Sequence, residues 1–353
     1  MKGLTYYENY KAIMEWMDGG DYLPPPIECN LDPHAECNLN CYFCITQRYL
    51  KDHREEIQGK RTLDIFYTLD LIDFLAKWGV RGLCVSGGGE PTLHRNFHFI
   101  LKRANEKGMK TSVFTNGTMI NPEIAQPLMR CQWVAVSVDA GDWRSYETIK
   151  GKNLFDHVVA NIGTLTDIRK RFNSDVSICY KFLVLPENQH LIYKACRLAK
   201  ELGCQDFHAR PVDFERKDVG GKKLKIDKSL VMEQYDRCHK LENDDFRVYT
   251  ITHKFDPEFH VMHQFKKCLA SPLVIPILTD MNAYLCVDKK MEEKFKLGSC
   301  NPPEKILEWW GSDAHRDLVK SVNVDECSRC TWGEYNRQIE ETVIKDNMCV
   351  DFP

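Results

Sequence analysis

Cys37-Asn38-Leu39-Asn40-Cys41-Tyr42-Phe43-Cys44 brings three thiols together just after an apolar run at residues 27–31 that suits a buried strand. Thiolates this close in sequence can converge on one metal centre. The spacing, three intervening residues and then two, differs from the paired C-x2-C knuckles of structural zinc sites. It is also one ligand short of the four thiolates that close an ordinary four-iron cluster. A cluster held here keeps one iron open for another ligand.

Outward from that stretch, strand and helix patterns alternate. Apolar runs at 82–86, 111–115, 133–138, 177–184 and 206–209 read as buried parallel strands. Thr62 is placed to cap a helix carrying Ile65, Phe66, Leu69, Ile72, Phe74 and Leu75 on its apolar side. Asn96 is placed to cap the next, which Gly108 closes, and Asn121-Pro122 opens a third. Stretches at 155–172 and 188–202 complete the series. Six strand–helix units in order imply parallel pairing through right-handed crossovers. Periodicity leaves both a doubly wound sheet and a barrel open, and either places active residues at the C-terminal strand ends. There, after the second strand, stands Ser86-Gly87-Gly88-Gly89-Glu90-Pro91. Alone, such a run reads as a turn whose glycines permit close backbone approach.

Together the two motifs resemble the radical S-adenosylmethionine (SAM) superfamily, whose C-x3-C-x2-C motif has an aromatic residue before its last cysteine, as Phe43 is here. The resemblance covers residues 25–212 and favours an α/β fold with a partial (β/α)6 TIM-like barrel. It implies that Cys37, Cys41 and Cys44 hold a [4Fe–4S] cluster whose open iron binds the amino and carboxylate groups of SAM. One electron then cleaves the sulfonium bond, and a 5′-deoxyadenosyl radical takes a hydrogen atom from the substrate. Gly88, Gly89 and Glu90 are expected at the SAM amino group. Asn116 in Thr115-Asn116-Gly117, and Ser137 and Asp139 in Ser137-Val138-Asp139, are expected along its ribose and methionyl parts. Lys181 and Arg210 are candidate contacts to a carboxylate or the substrate, with a solvated or ion-paired role as the alternative. His208 either faces the cavity or is a hydrogen-bonded structural residue.

The chain has sixteen cysteines and no secretory signal, so its thiols are expected to stay reduced. Cys84, Cys131, Cys179, Cys196 and Cys204 read as small buried hydrophobes. Cys268 and Cys286 flank hairpin-like runs at 274–278 and 283–287, and Cys327-Ser328-Arg329-Cys330 follows a helical stretch. Four thiolates make a closed site, and spacing alone leaves zinc and iron–sulfur both open. This part resembles the twitch extension, a shortened SPASM domain, with Leu297-Gly298 and Trp309-Trp310 between the cysteine pairs. The resemblance implies a second, auxiliary [4Fe–4S] cluster on Cys268, Cys286, Cys327 and Cys330, with Cys300 and Cys349 as alternative ligands. The expected division is a helical segment (1–24), the core barrel (25–212), a linker and helix (213–245) and a small α+β twitch/SPASM-like extension (246–353). Further helices are expected near 229–241, 303–310, 313–322 and 335–345, and the apolar tail at 346–353 is expected to fold back over the cavity.

The apolar fraction of 43%, charged fraction of 28% and net charge of −3 suit a globular cytoplasmic protein with no basic field for nucleic acid and no membrane span. The stretch before residue 25 is short for a separate leader-peptide-binding domain. The expectation is therefore oxidation or epimerisation of a small hydroxylated metabolite such as a sugar or cyclitol, with flavodoxin or ferredoxin as electron donor. Radical modification of a peptide side chain is the alternative. A non-enzymatic iron–sulfur or zinc-stapled binding protein would explain the thiols but not the Gly-Gly-Glu turn one strand later.

Overall fold

The structure, a computed structural model, describes residues 6–44, 46, 61–212, 226–257, 259, 261–327 and 329–345. The expectations placed on most of the lysine-rich linker, on Cys349 and on the 346–353 tail lie outside those residues.

β1 (Glu28–Leu31), β2 (Gly82–Val85), β3 (Lys110–Thr115), β4 (Trp133–Ser137), β5 (Ser177–Val184) and β6 (Asp206–Pro211) occupy the six expected places and pair parallel in chain order. The parallel run is wider than six. β7 (Arg247–Thr250) adds to β6, and β8 (Val274–Ile277) adds to the other edge against β1. β9 (Asn282–Tyr284) and β10 (Lys296–Ser299) continue the sheet antiparallel, giving the order β10-β9-β8-β1-β2-β3-β4-β5-β6-β7. β7 escapes a sequence reading because only Val248 of its four residues is buried. β8 does form a hairpin with β9, as its apolar run suggests, but its second edge finds its hydrogen-bond partners on β1.

Between the strands run α2 (Ile65–Trp78), α3 (Phe97–Glu106), α4 (Pro122–Leu128), α5 (Trp143–Lys150), α6 (Phe155–Arg171), α7 (Ile192–Glu201) and α8 (Lys228–His239); α1 (Tyr7–Met17) precedes them. The cap of α2 is Asp64 rather than Thr62: its carboxylate accepts from the Phe66 and Tyr67 amides. Asn121 caps α4 as expected, whereas Asn96 makes no side-chain cap. α5 was not foreseen; Asp142 caps it, and Gly151, at φ +72°, ends it.

Strand side chains alternate between two faces. Leu31, Val85, Val113, Val136, Tyr180 and Phe207 point outward into the helix layer and share one core with Leu75, Leu101, Ile162 and Ala195. Burying each large apolar side chain there is worth roughly 1.5–3 kcal/mol. Positions one residue out of phase, including Asn30, Cys84, Phe114, Ser137, Lys181 and His208, therefore face the lumen of the open barrel.

A second core joins the two ends of the chain. Tyr10, Ile13 and Trp16 of α1 pack with Leu269, Leu273, Val319 and Ile339. Trp16 Nε1 donates to the Gly311 carbonyl at 2.8 Å. His315, on α9 (Asp313–Lys320), lies against Trp16 and Trp310 with ring centroids 5.1 and 4.9 Å away. Its Nδ1 accepts from the Gly311 amide, and burial pushes its pKa down to about 4. A base depressed in the folded state binds fewer protons there than in the unfolded chain, so stability falls as pH drops below the ordinary value of about 6.5. Urea unfolding at pH 7.5 and 5.5 should differ by about 1 kcal/mol from this residue alone, and His315→Gln should flatten that difference.

Candidate active site

The three N-terminal thiols sit on a loop braced from two sides. Asn40 N donates to the Lys150 carbonyl and Tyr42 N to that of Ile149, so the loop rests on the C-terminal end of α5. On the other side, Gly89 N donates to the His34 carbonyl and Glu90 N to that of Glu36. A Cβ at Gly89 would stand 2.0 Å from the Glu36 carbonyl oxygen, so only glycine lets the turn lie against the chain leading into Cys37.

Glu90 is fully enclosed. Its carboxylate accepts from Thr92 N, Thr92 Oγ1, Thr115 Oγ1 and Asn116 N, the last at 2.6 Å, tying the glycine turn to the end of β3. Burial pushes its pKa up, while those four hydrogen bonds favour the charged form. Asn116 reaches the cysteine loop itself: Nδ2 donates to Asn38 Oδ1 at 2.8 Å and to Cys37 Sγ at 3.7 Å. The Leu39 amide also points at Cys37 Sγ. Two donors at one sulfur suit a thiolate ligand, whose charge they stabilise.

Each of the three thiols lies within electrostatic range of the others. Burial pushes Cys41 up to about 11 and Cys37 up as well, so these two thiols keep their protons until a metal displaces them. Lys150, 2% exposed, faces Cys41, stands 5.5 Å from the Phe43 ring centroid and donates to Asp139 Oδ2. Burial disfavours its charge, but Asp139 and then Cys41 outweigh that and raise its pKa. Asp139 takes a left-handed backbone conformation (φ +56°), and its Oδ1 accepts from Leu183 N at 2.7 Å. Expected along SAM, Asp139 thus also anchors the cysteine loop through Lys150. Nothing in the sequence marked Lys150, which reads as an ordinary basic residue at a helix end.

Ser137 ends β4 beside Lys181 of β5, and Lys181 is in register with His208 of β6. Lys181 lies 4.5 Å from the Phe114 ring centroid. Burial, reinforced by Arg210, pushes it down to about 8. Burial with Lys181 and Arg210 nearby pushes His208 down to about 3.

The C-terminal cysteines lie near one another. Cys268, Cys286, Cys327 and Cys330 line one cleft of about 410 Å³. Burial raises all four, Cys268 to about 11 and Cys330 to about 12. Four other residues, Asp288, Arg329, Thr331 and Asn336, hold them. Asp288 accepts from Arg329 Nε, Thr331 N and Thr331 Oγ1, clamping the Cys286 turn to the Cys327–Cys330 turn. Asn336 Oδ1 accepts from the Leu269 and Ala270 amides, and its Nδ2 donates to Cys330 Sγ at 3.6 Å. Cys300 lies apart, buried in the main core. Cys84, Cys131, Cys196 and Cys204 are buried as expected, whereas Cys179 is half-buried on the lumen side of β5.

Residues 33–205, which span both the cysteine loop and the glycine turn, match the radical SAM superfamily. The chain carries a radical SAM domain. Radical SAM proteins bind a [4Fe–4S] cluster and SAM, and the residues around Cys37, Cys41 and Cys44 fit such a group. Similar sequences include a probable GTP 3′,8-cyclase of Pyrococcus abyssi, 29% identical over 38% of this chain and 41% of the relative. The mycofactocin maturase MftC of Mycolicibacterium smegmatis is 30% identical over 46% of this chain and 40% of its own length. This chain thus spans about two fifths of the length of these curated relatives. The likeness in fold extends further: the crystal structure of Streptococcus suis SuiB superposes with a TM-score of 0.67 at 15% identity, over 90% of this chain and 72% of that one. Among the described residues, no helix is long and apolar enough to cross a membrane.

Proposed function

We propose that this radical SAM enzyme oxidises or epimerises a small hydroxylated metabolite, such as a sugar or cyclitol, enclosed between the barrel lumen and the C-terminal cysteine cleft. Cys37, Cys41 and Cys44 are the ligands of the SAM-binding cluster, and Cys268, Cys286, Cys327 and Cys330 those of an auxiliary [4Fe–4S] cluster. When bound, these groups supply a hydrogen-abstracting carbon radical and an acceptor for the remaining electron. The chain's own residues orient and enclose. Gly88 and Gly89 let the backbone approach SAM, with Glu90, Asn116, Ser137 and Asp139 around it, Lys181 and Arg210 face the substrate space beyond, and Phe43 packs beside Lys150 under the cysteine loop. A flavodoxin or ferredoxin is the proposed electron donor.

The carrying observation is the position of the second thiol set. Lys254 donates to the Cys330 and Thr331 carbonyls at 3.2 and 2.7 Å and lies within electrostatic range of lumen residues His208 and Arg210. A second cluster there would stand at the edge of the substrate space. Cluster rather than zinc is supported by the radical SAM domain that the four thiols accompany. Peptide side-chain modification is the second reading, supported by the sequence likeness to a maturase.

The test is anaerobic incubation of reduced holoprotein with SAM and panels of cyclitols, sugars and peptides, with 5′-deoxyadenosine and product masses measured together. An alcohol that loses two hydrogens, or exchanges one with solvent at unchanged mass, supports the first reading. A cross-linked or oxidised peptide with no reacting alcohol replaces it with the second.

A further inference from the structure

Two lysines of the lumen have no ion-pair partner among the described residues. Several lumen acids are paired, Asp139 with Lys150, Asp32 with Lys290, Asp206 with Arg247 and Asp288 with Arg329, and burial pushes Glu28, at the start of β1, up to about 7. Glu90 is satisfied by its four donors. The cations on the far half of the barrel are not all matched. Lys181 lies on the face of Phe114 and Lys254 donates to two backbone carbonyls; Asp139 and Asp288, already paired elsewhere, lie within electrostatic range of them without bonding to them. Neither has a carboxylate partner among the described residues. Arg210 stands two positions beyond His208 on the same face of β6 and lies within electrostatic range of both lysines. A lysine on a half-buried wall with no carboxylate bonded to it is costly unless an anion arrives to meet it.

We propose that the wall formed by Lys181, His208, Arg210 and Lys254 receives an anionic group of the substrate, a carboxylate or a phosphate. This rests on the radical SAM reading above and narrows its substrate class: the hydroxylated metabolite is an acid or a phosphate ester, not a neutral sugar. Position assigns the wall to substrate rather than to SAM. The cysteine loop, Gly88–Glu90 and Asn116 lie at β1 to β3, whereas the wall lies on β5, on β6 and just after β7. Lys254 is fastened to the Cys330 turn.

The test uses reconstituted holoprotein already shown to bind SAM, so a failure here is distinguishable from failure of the radical SAM reading. With SAM saturating and ionic strength fixed by chloride, inorganic phosphate and acetate are titrated separately while the melting temperature is followed. A saturable rise with one of them is expected and shows which headgroup the wall prefers. Lys254→Gln should weaken that affinity at least 10-fold, Lys254→Arg should restore it, and SAM affinity by equilibrium dialysis should stay within 2-fold in both. Phosphate or acetate that competes with SAM, or a titration unchanged by Lys254→Gln, overturns the assignment. So does the absence of any saturable response to either ion.

Discussion

Reconstituted anaerobically, the Cys37→Ala/Cys41→Ala/Cys44→Ala variant should keep about half of the wild-type iron and sulfide and form no 5′-deoxyadenosine from SAM. The halving follows from two separate thiol sets, one on the loop braced by α5 and Gly89, the other lining the C-terminal cleft. Each set has its own support, Lys150 and Asn116 for the first, Asp288 and Asn336 for the second. Emptying one should leave the other folded and loaded. Total loss of SAM cleavage follows because only the three-thiol set leaves an iron open. A variant that still cleaves SAM, or that keeps all its metal, removes Cys37, Cys41 and Cys44 from the proposed role. Wild-type protein that takes up zinc at the second set in place of iron would refute the auxiliary cluster alone.

Asp139→Ala should destabilise the protein by about 3–5 kcal/mol, the usual cost of stranding one partner of a buried ion pair. Lys150 and Asp139 are 2% and 4% exposed, so water cannot take over the ammonium. The loss should reach the cysteine loop, since Lys150 also carries the carbonyl that receives Asn40 N. Denaturant unfolding gives the stability, and iron retention after gel filtration gives the local effect. The double variant Asp139→Ala/Lys150→Met should recover much of the stability, because no buried charge is left unpaired. If Asp139→Ala alone costs less than about 1 kcal/mol, the pair behaves as a solvated one and the anchoring role fails.

The site was legible in the sequence where chemistry is carried by neighbours along the chain. Cys37, Cys41 and Cys44 are close because their spacing makes them so, and Gly89 must be glycine because its own backbone meets Glu36. The helix caps show the limit of such reading. Thr62 and Asp64 are both good capping residues two positions apart, and local pattern does not choose between them; His34, distant in the chain, takes the Thr62 hydroxyl at 2.8 Å across a β-bridge and leaves the cap to Asp64.

Elsewhere the deciding partners are distant in the chain. β7 and β8 were invisible as members of the parallel sheet because a strand of four residues is recognised by what it pairs with, not by its own composition. Lys150, Asp288 and Asn336 carried no signal, since a buried polar residue differs from an exposed one only in the groups that fold around it. The sequence by itself determined the repeating strand–helix order, the two thiol sets and the turn that lies beside the first of them, all set by local spacing and backbone sterics. The tertiary structure alone decided that the C-terminal thiols share one cleft at the barrel's edge, that Asp139 is held by a buried lysine, and that unmatched cations face the lumen. Those are questions of which distant groups meet and which exclude water, and both burial and Coulomb energy depend on that meeting rather than on order along the chain.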